Sequence, residues 1–108
     1  MRNLIFLLVF FCNSVSAQIQ VTHFNAGWNS ANDVEWFMKL KDCKTMGYVD
    51  IAKDVKAQTK YKIAVVPTII IFKDGEEVAR FQADLSFKMV ATKEEVQEEI
   101  NDQMMSDF

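Results

Sequence analysis

The 108-residue sequence predicts an α/β domain, a four-stranded mixed sheet flanked by three helices in the order β-α-β-α-β-β-α. Three observations carry that prediction. Thr68-Ile69-Ile70-Ile71-Phe72 is an unbroken β-branched and apolar run, which suits a strand buried on both faces of a sheet. Lys73-Asp74-Gly75-Glu76 follows it with the Asp-Gly chemistry of a tight hairpin turn. Asn32 with Glu35, and Thr92 with Glu95, both have the spacing of a helix capping box.

The elements follow in order. Ile19-Gln20-Val21-Thr22-His23-Phe24 alternates along the chain and reads as the first strand. Asn25-Ala26-Gly27 are loop residues. Asn29, Ser30 and Asn32 can each cap a helix, and Val34, Phe37, Met38 and Lys41 then recur at helical spacing, predicting a helix to about Leu40. Met46 to Ile51 is a second short strand. Ala52 to Tyr61 is polar and helix-favouring, with Val55 and Thr59 as its inward positions. After the buried strand and its turn, Glu77 to Phe81 returns antiparallel. In the segment Gln82 to Ala91, Leu85, Phe87 and Met89 alternate with Ser86 and Lys88, which permits a longer strand or an ordered loop. Thr92 opens a last helix with Val96, Ile100 and Met104 on one stripe.

The first 17 residues read differently. Arg2 precedes an apolar run from Leu4 to Cys12, and Val15-Ser16-Ala17 supplies small residues where a signal peptidase cuts. The run is too short to span a bilayer. A signal peptide over 1–17 and one domain over 18–108 are therefore expected, with export to a periplasmic or extracellular compartment. Cleavage at that point leaves 91 residues, room for one modest core. It also removes Arg2, so a net charge of −3 becomes about −4. The basic residues are scattered with no stripe to follow a phosphate backbone, which argues against nucleic acid. No later run is long enough to cross a membrane. Of the two cysteines only Cys43 survives cleavage, so no internal disulfide is available as a staple.

Two landmarks give the order of elements a more specific meaning. Trp28 stands between the first strand and first helix, in Phe24-Asn25-Ala26-Gly27-Trp28-Asn29-Ser30-Ala31-Asn32. Val65-Val66-Pro67-Thr68 leads into the buried strand and holds the chain's single proline. With Tyr61-Lys62-Ile63 and Phe72-Lys73-Asp74-Gly75-Glu76, these resemble the thioredoxin superfamily from about Val21 to Phe81. The resemblance implies a minimal thioredoxin-like fold without the amino-terminal strand and helix of full thioredoxins. It also implies a cis Val66–Pro67 bond beside Trp28, in a groove whose backbone receives extended peptides.

Departures from that pattern decide the chemistry. Thioredoxins carry Trp-Cys-Gly-Pro-Cys here, whereas this chain has Trp28-Asn29-Ser30-Ala31-Asn32. Disulfide exchange needs an attacking thiolate and a resolving thiol, and side-chain amides are neither. His23 falls where the family keeps a buried carboxylate. No catalytic residue is assigned on this basis, and no residue cluster implies a cofactor or metal. The expected function is a redox-inactive module that binds an extended or unfolded protein segment through Trp28, Asn29, Ser30, Ala31, Asn32, Val66 and Pro67. The rival from another class is a thiol–disulfide oxidoreductase working through Cys43 alone, and a third is a structural subunit with an empty groove. The blander roles are capping or loop bonding for Asn29 and Asn32, a hydrogen-bonded core position for His23, and a part-buried apolar thiol for Cys43. Met38, Met46, Met89, Met104 and Met105 read as core filling rather than a soft-metal site. Glu94, Glu95, Glu98, Glu99 and Asp102 form a solvated acidic helix face.

Overall fold

Four strands form one sheet in the order β2-β1-β3-β4. They are β1 (Ile19–Asn25), β2 (Thr45–Asp50), β3 (Thr68–Lys73) and β4 (Glu76–Gln82). β1 lies parallel to β2 and antiparallel to β3, and β3 is antiparallel to β4. The computed structural model describes residues 18–105; the expected signal peptide over 1–17, with Cys12, lies outside the described residues.

The β3 run is buried from Thr68 to Phe72, as its composition requires. Ile69 and Ile71 face one core with Val21, Phe37, Leu40, Val96 and Ile100. Ile70 and Phe72 face a second with Phe24, Ile51, Ile63 and Val66. A central strand with apolar residues on both faces thus fixes a three-layer arrangement. Asp74 and Gly75 both have positive φ, 52° and 88°, the backbone that a two-residue hairpin between right-twisted strands demands.

Two helices are α-helical, α1 (Val55–Lys60) and α2 (Lys93–Met105). Asp54 caps α1 by accepting from the Ala57 N–H. Val55 is 61 % exposed and Thr59 is also exposed, contrary to their predicted inward placement, because a six-residue helix buries only Ala57. For α2 the capping box forms in full. Thr92 Oγ1 accepts from the Glu95 N–H at 3.1 Å, and Glu95 Oε1 accepts from the Thr92 N–H at 2.9 Å. Val96 and Ile100 are fully buried, and Met104 packs against the same core. Thr92→Ala is expected to cost about 1 kcal/mol in a denaturant titration, the usual worth of a lost cap.

The first helix departs from expectation. Between β1 and β2 the chain makes two 3-10 turns, Gly27–Asn32 and Phe37–Lys39, instead of one α-helix to Leu40. Asp33 between them is extended, at φ −53° and ψ 144°. Val34, Phe37 and Leu40 still reach the core, but Met38 is 74 % exposed. The cause is competition for backbone groups. The Asn25 side chain donates to the Asn29 carbonyl, and His23 takes the Val34 N–H, two groups that a continuous helix would have used.

Candidate functional site

β1 delivers its last residues to the top of the sheet. Asn25 is fully buried there, and Asn29, four residues on, is 5 % exposed. Their side chains form a closed set of bonds. Asn29 Nδ2 donates to Asn25 Oδ1 at 3.0 Å and to the Phe87 carbonyl at 3.2 Å. Asn29 Oδ1 accepts from Asn32 Nδ2 at 2.8 Å, and Asn25 Nδ2 donates to Asp33 Oδ1 at 2.6 Å. Neither Asn29 nor Asn32 caps a helix, since the first 3-10 turn has no side-chain cap. The blander expectation holds in its second form, loop hydrogen bonding. Trp28 stands 67 % exposed beside them, with Ser30 and Ala31 on the exposed rim. Gly27 lets the turn close: a Cβ there would sit 3.1 Å from Asp50 Oδ2, and its N–H donates to Asp50 Oδ1.

Across from Trp28 runs the Val65–Thr68 segment. The Val66–Pro67 peptide is cis, and both residues are buried. The Pro67 carbonyl accepts from the Ala83 N–H at 3.0 Å, and Thr68 Oγ1 donates to the Val65 carbonyl at 2.7 Å. Between Trp28 and this segment lies a groove of about 110 Å³, lined by Trp28, Ile51, Ile63, Val65, Val66 and Phe87. The structure therefore brings Trp28 and Val66 to one site, with Asn29 forming its floor through the Phe87 carbonyl.

Phe87 is the site residue that sequence reasoning did not place. Ala83 and Met89 make an isolated antiparallel bridge, and the loop between them is tied by the Asp84 side chain accepting from the Ser86 N–H. Asp84-x-Ser86 was the available signal, an Asx-turn spacing. At the loop's end Phe87 adopts φ 65°, uncommon for an aromatic residue. Its ring meets Trp28 edge-on, with centroids 5.3 Å apart and planes at 89°.

No protein-family model matches the chain. Among solved structures, a mutant thioredoxin from Halobacterium salinarum superposes with a TM-score of 0.64 at 18 % identity, covering 81 % of this chain and 75 % of that one. This chain has the thioredoxin fold. Curated relatives agree over shorter stretches. A chloroplastic thioredoxin Y1 from Arabidopsis thaliana is 41 % identical over 51 residues, 47 % of this chain. A thioredoxin from Chlamydia pneumoniae is 44 % identical over 36 residues, 33 % of this chain. The matched stretches span only 30 % and 35 % of those proteins' own lengths.

Within the thioredoxin fold, the remaining candidates fall away from the groove. His23 is 1 % exposed, and its Nε2 accepts the Val34 N–H at 3.0 Å. The ring stacks on Tyr48 at 5.0 Å and meets Phe37 edge-on at 5.3 Å, a core position as expected for a lone histidine. Burial lowers its pKa, opposed by the Asp33 carboxylate and the residue's own backbone. Tyr48 donates its hydroxyl to Asp33 at 2.9 Å. Loss of solvent, then that bond and the acidic neighbours, push its pKa up to about 12.

Cys43 is half-buried, and its Sγ lies 3.5 Å from the Lys41 carbonyl. The next residue, Lys44, bonds Ile19 at the start of β1, whereas Trp28 follows the end of that strand. Seven residues of strand, roughly 20 Å, therefore separate the thiol from the groove. Burial and then Asp42 raise its pKa, opposite to the activation of a nucleophilic cysteine. Among the described residues no three of His, Cys, Asp and Glu converge as metal ligands, and no helix is long and apolar enough to cross a membrane.

Proposed function

We propose that the chain is an exported, redox-inactive thioredoxin-fold module that binds an extended or unfolded segment of another protein in the groove between Trp28 and the Val66–Pro67 loop. The observation that carries this reading is the state of Asn29. At the position where the resemblance puts the attacking thiol stands a buried amide committed to Asn25, Asn32 and Phe87. Such a group supports the groove and attacks nothing. Around it the groove keeps what peptide recognition uses. Trp28 offers an exposed aromatic face, and the apolar lining of Ile51, Ile63 and Val65 accepts a side chain. Among the described residues no hydrogen bond occupies the Val66 backbone N–H or C=O, which favours strand-like pairing with a partner. Export rests on the composition of residues 1–17.

The second reading is thiol–disulfide exchange through Cys43, and the thioredoxin names of the curated relatives favour it. Its position away from the groove and its raised pKa weigh against it. Two assays separate the readings. In an immobilised-peptide screen, Trp28→Ala should weaken binding at least about tenfold, the loss typical of an aromatic anchor. The same substitution should move the unfolding free energy by less than about 1 kcal/mol, since Trp28 is mostly solvent-exposed. Unchanged binding would reject the groove. With insulin and dithiothreitol, turnover that disappears in Cys43→Ser would instead establish the thiol reading.

A further inference from the structure

The sheet has two edges, and they are built differently. β4 carries Glu76, Glu77 and Arg80, and the β3–β4 ladder shifts register between Ile71 and Phe72. Arg80 is also spent on Glu77 and on the Lys62 and Tyr61 carbonyls. Charge and irregularity of this kind keep an edge from pairing with another chain. β2, at the other edge, carries a single charge, Asp50 at its end, and keeps one register with β1 throughout. Between Lys44 and Asp50 it reads Thr45-Met46-Gly47-Tyr48-Val49, with no charge. Among the described residues β2 pairs only with β1.

The outward backbone groups of β2 can be assigned. The Ile51 N–H donates to the Asn25 carbonyl at 2.8 Å, in register with the Asn25–Asp50 pair, so alternation turns Thr45, Gly47 and Val49 toward β1 and leaves Met46 and Tyr48 pointing outward. Clefts flank this strand on both faces of the sheet. One, of about 270 Å³, is lined by His23, Phe37, Met38, Met46 and Tyr48. The other, of about 320 Å³, includes Gln20, Thr22, Gly47 and Val49. Tyr48 is 51 % exposed yet fixed by its His23 stack and its bond to Asp33, an aromatic anchor ordered in advance.

We infer that β2 is a dimerisation edge, pairing antiparallel with β2 of a second copy about a twofold axis at Gly47. Such an axis, normal to a continuous sheet, keeps each face on its own side, so paired positions must lie an even number of residues apart. Centring on Gly47 sets Lys44 opposite Asp50, Thr45 opposite Val49 and Met46 opposite Tyr48, each pair occurring twice. The outward N–H and C=O of Met46 then pair with those of Tyr48 in the second copy, on both sides of a non-hydrogen-bonded Gly47 pair. Lys44 forms no ion pair among the described residues, and Asp50 has one carboxylate oxygen on Gly27 and Ala52, with Oδ2 left for it. Methionine against tyrosine is a favourable sulfur–aromatic contact. Gly47 on the axis brings no side chain to the crossing point. The neighbouring register, centred on Tyr48, sets Met46 against Asp50 and Lys44 against Ala52, losing both matches. This self-complementarity selects a second copy as the occupant.

Sedimentation velocity across a wide concentration range tests the edge, on the 1–108 chain and on the 18–108 chain that keeps every described element. The expected result is a species of twice the chain mass in both forms. Gly47→Lys should weaken it at least about tenfold by facing two cations across the axis, and Lys44→Glu should do the same by facing Asp50. A Cβ at Gly47 meets Thr22 no closer than 3.6 Å, so the monomer accommodates the change; Lys44→Glu decides if it does not fold. Lys88→Glu, the same charge change in the loop beyond β4, should leave the dimer intact. A monomer at every concentration overturns the inference, as does a dimer indifferent to both edge variants. A full chain that stays monomeric while 18–108 dimerises also overturns it, giving the edge to residues 1–17. Peptide binding at Trp28 is read separately and should not follow Gly47→Lys.

Discussion

Asn29→Ala is expected to lower the unfolding free energy by about 2–4 kcal/mol, well beyond what one exposed polar contact contributes. The Asn29 side chain and carbonyl make four hydrogen bonds to three residues. Its amide nitrogen supplies Asn25 Oδ1 and the Phe87 carbonyl, its oxygen holds Asn32, and its own carbonyl holds Asn25. Alanine keeps the last of these and removes the other three. Asn25 is fully buried, so its orphaned oxygen gains no water in exchange. An unsatisfied buried acceptor costs about 1–3 kcal/mol, and the freed Phe87 carbonyl and Asn32 amide, nearer the surface, add less. The loop from Asp84 to Phe87 should also exchange its amides faster, since its tertiary tether to Asn29 is gone. Ser30→Ala, on the exposed rim, should change stability by under about 0.5 kcal/mol. A loss below about 1 kcal/mol for Asn29→Ala would mean that these amides are interchangeable with water, and the groove floor would lose its physical basis.

What the sequence made legible, and what it hid, divide along the range of the forces involved. β3, the Asp74-Gly75 turn and the Thr92–Glu95 box were readable because each is settled by neighbours within a few residues. The placement of Trp28 near Val66 followed from the resemblance, and the thioredoxin fold bears that frame out. The segment after Trp28 misled because its apolar spacing was helical while its polar residues answered to another strand. His23 and Asn25 on β1 claim the Val34 N–H and the Asn29 carbonyl, and no pattern within Asn29 to Leu40 records that. Phe87 was hidden for the same reason. Its left-handed backbone and its place beside Trp28 depend on a bond from Asn29, 58 positions away in sequence. Both misreadings concern the same Asn25–Asn29 pair. Local rules failed where the site is built from side-chain amides reaching across elements.

The chain's single histidine gives the second large effect, a loss of stability on acidification through the low end of the neutral range. In the unfolded chain His23 takes up a proton around its ordinary pKa of about 6.5. In the folded protein burial depresses that pKa, so the ring stays neutral at a pH where the unfolded ring is already charged. The unfolded state then binds more protons, and stability must rise with pH across the interval between the two values. Its contribution is fully present above about pH 6.5 and is lost progressively as pH falls toward the folded value, at up to about 1.4 kcal/mol per pH unit. Protonation would strike twice. It would charge a ring that is 1 % exposed, and it would put a proton on Nε2, the atom that accepts the Val34 N–H. Nδ1 offers no relief, being buried without a hydrogen-bond partner of its own. Denaturant titrations from pH 7.5 downward should therefore show a slope near pH 6 that His23→Gln removes, glutamine keeping an acceptor without a titrating group. Should the wild-type slope persist in that variant, a group other than His23 would carry the acid response.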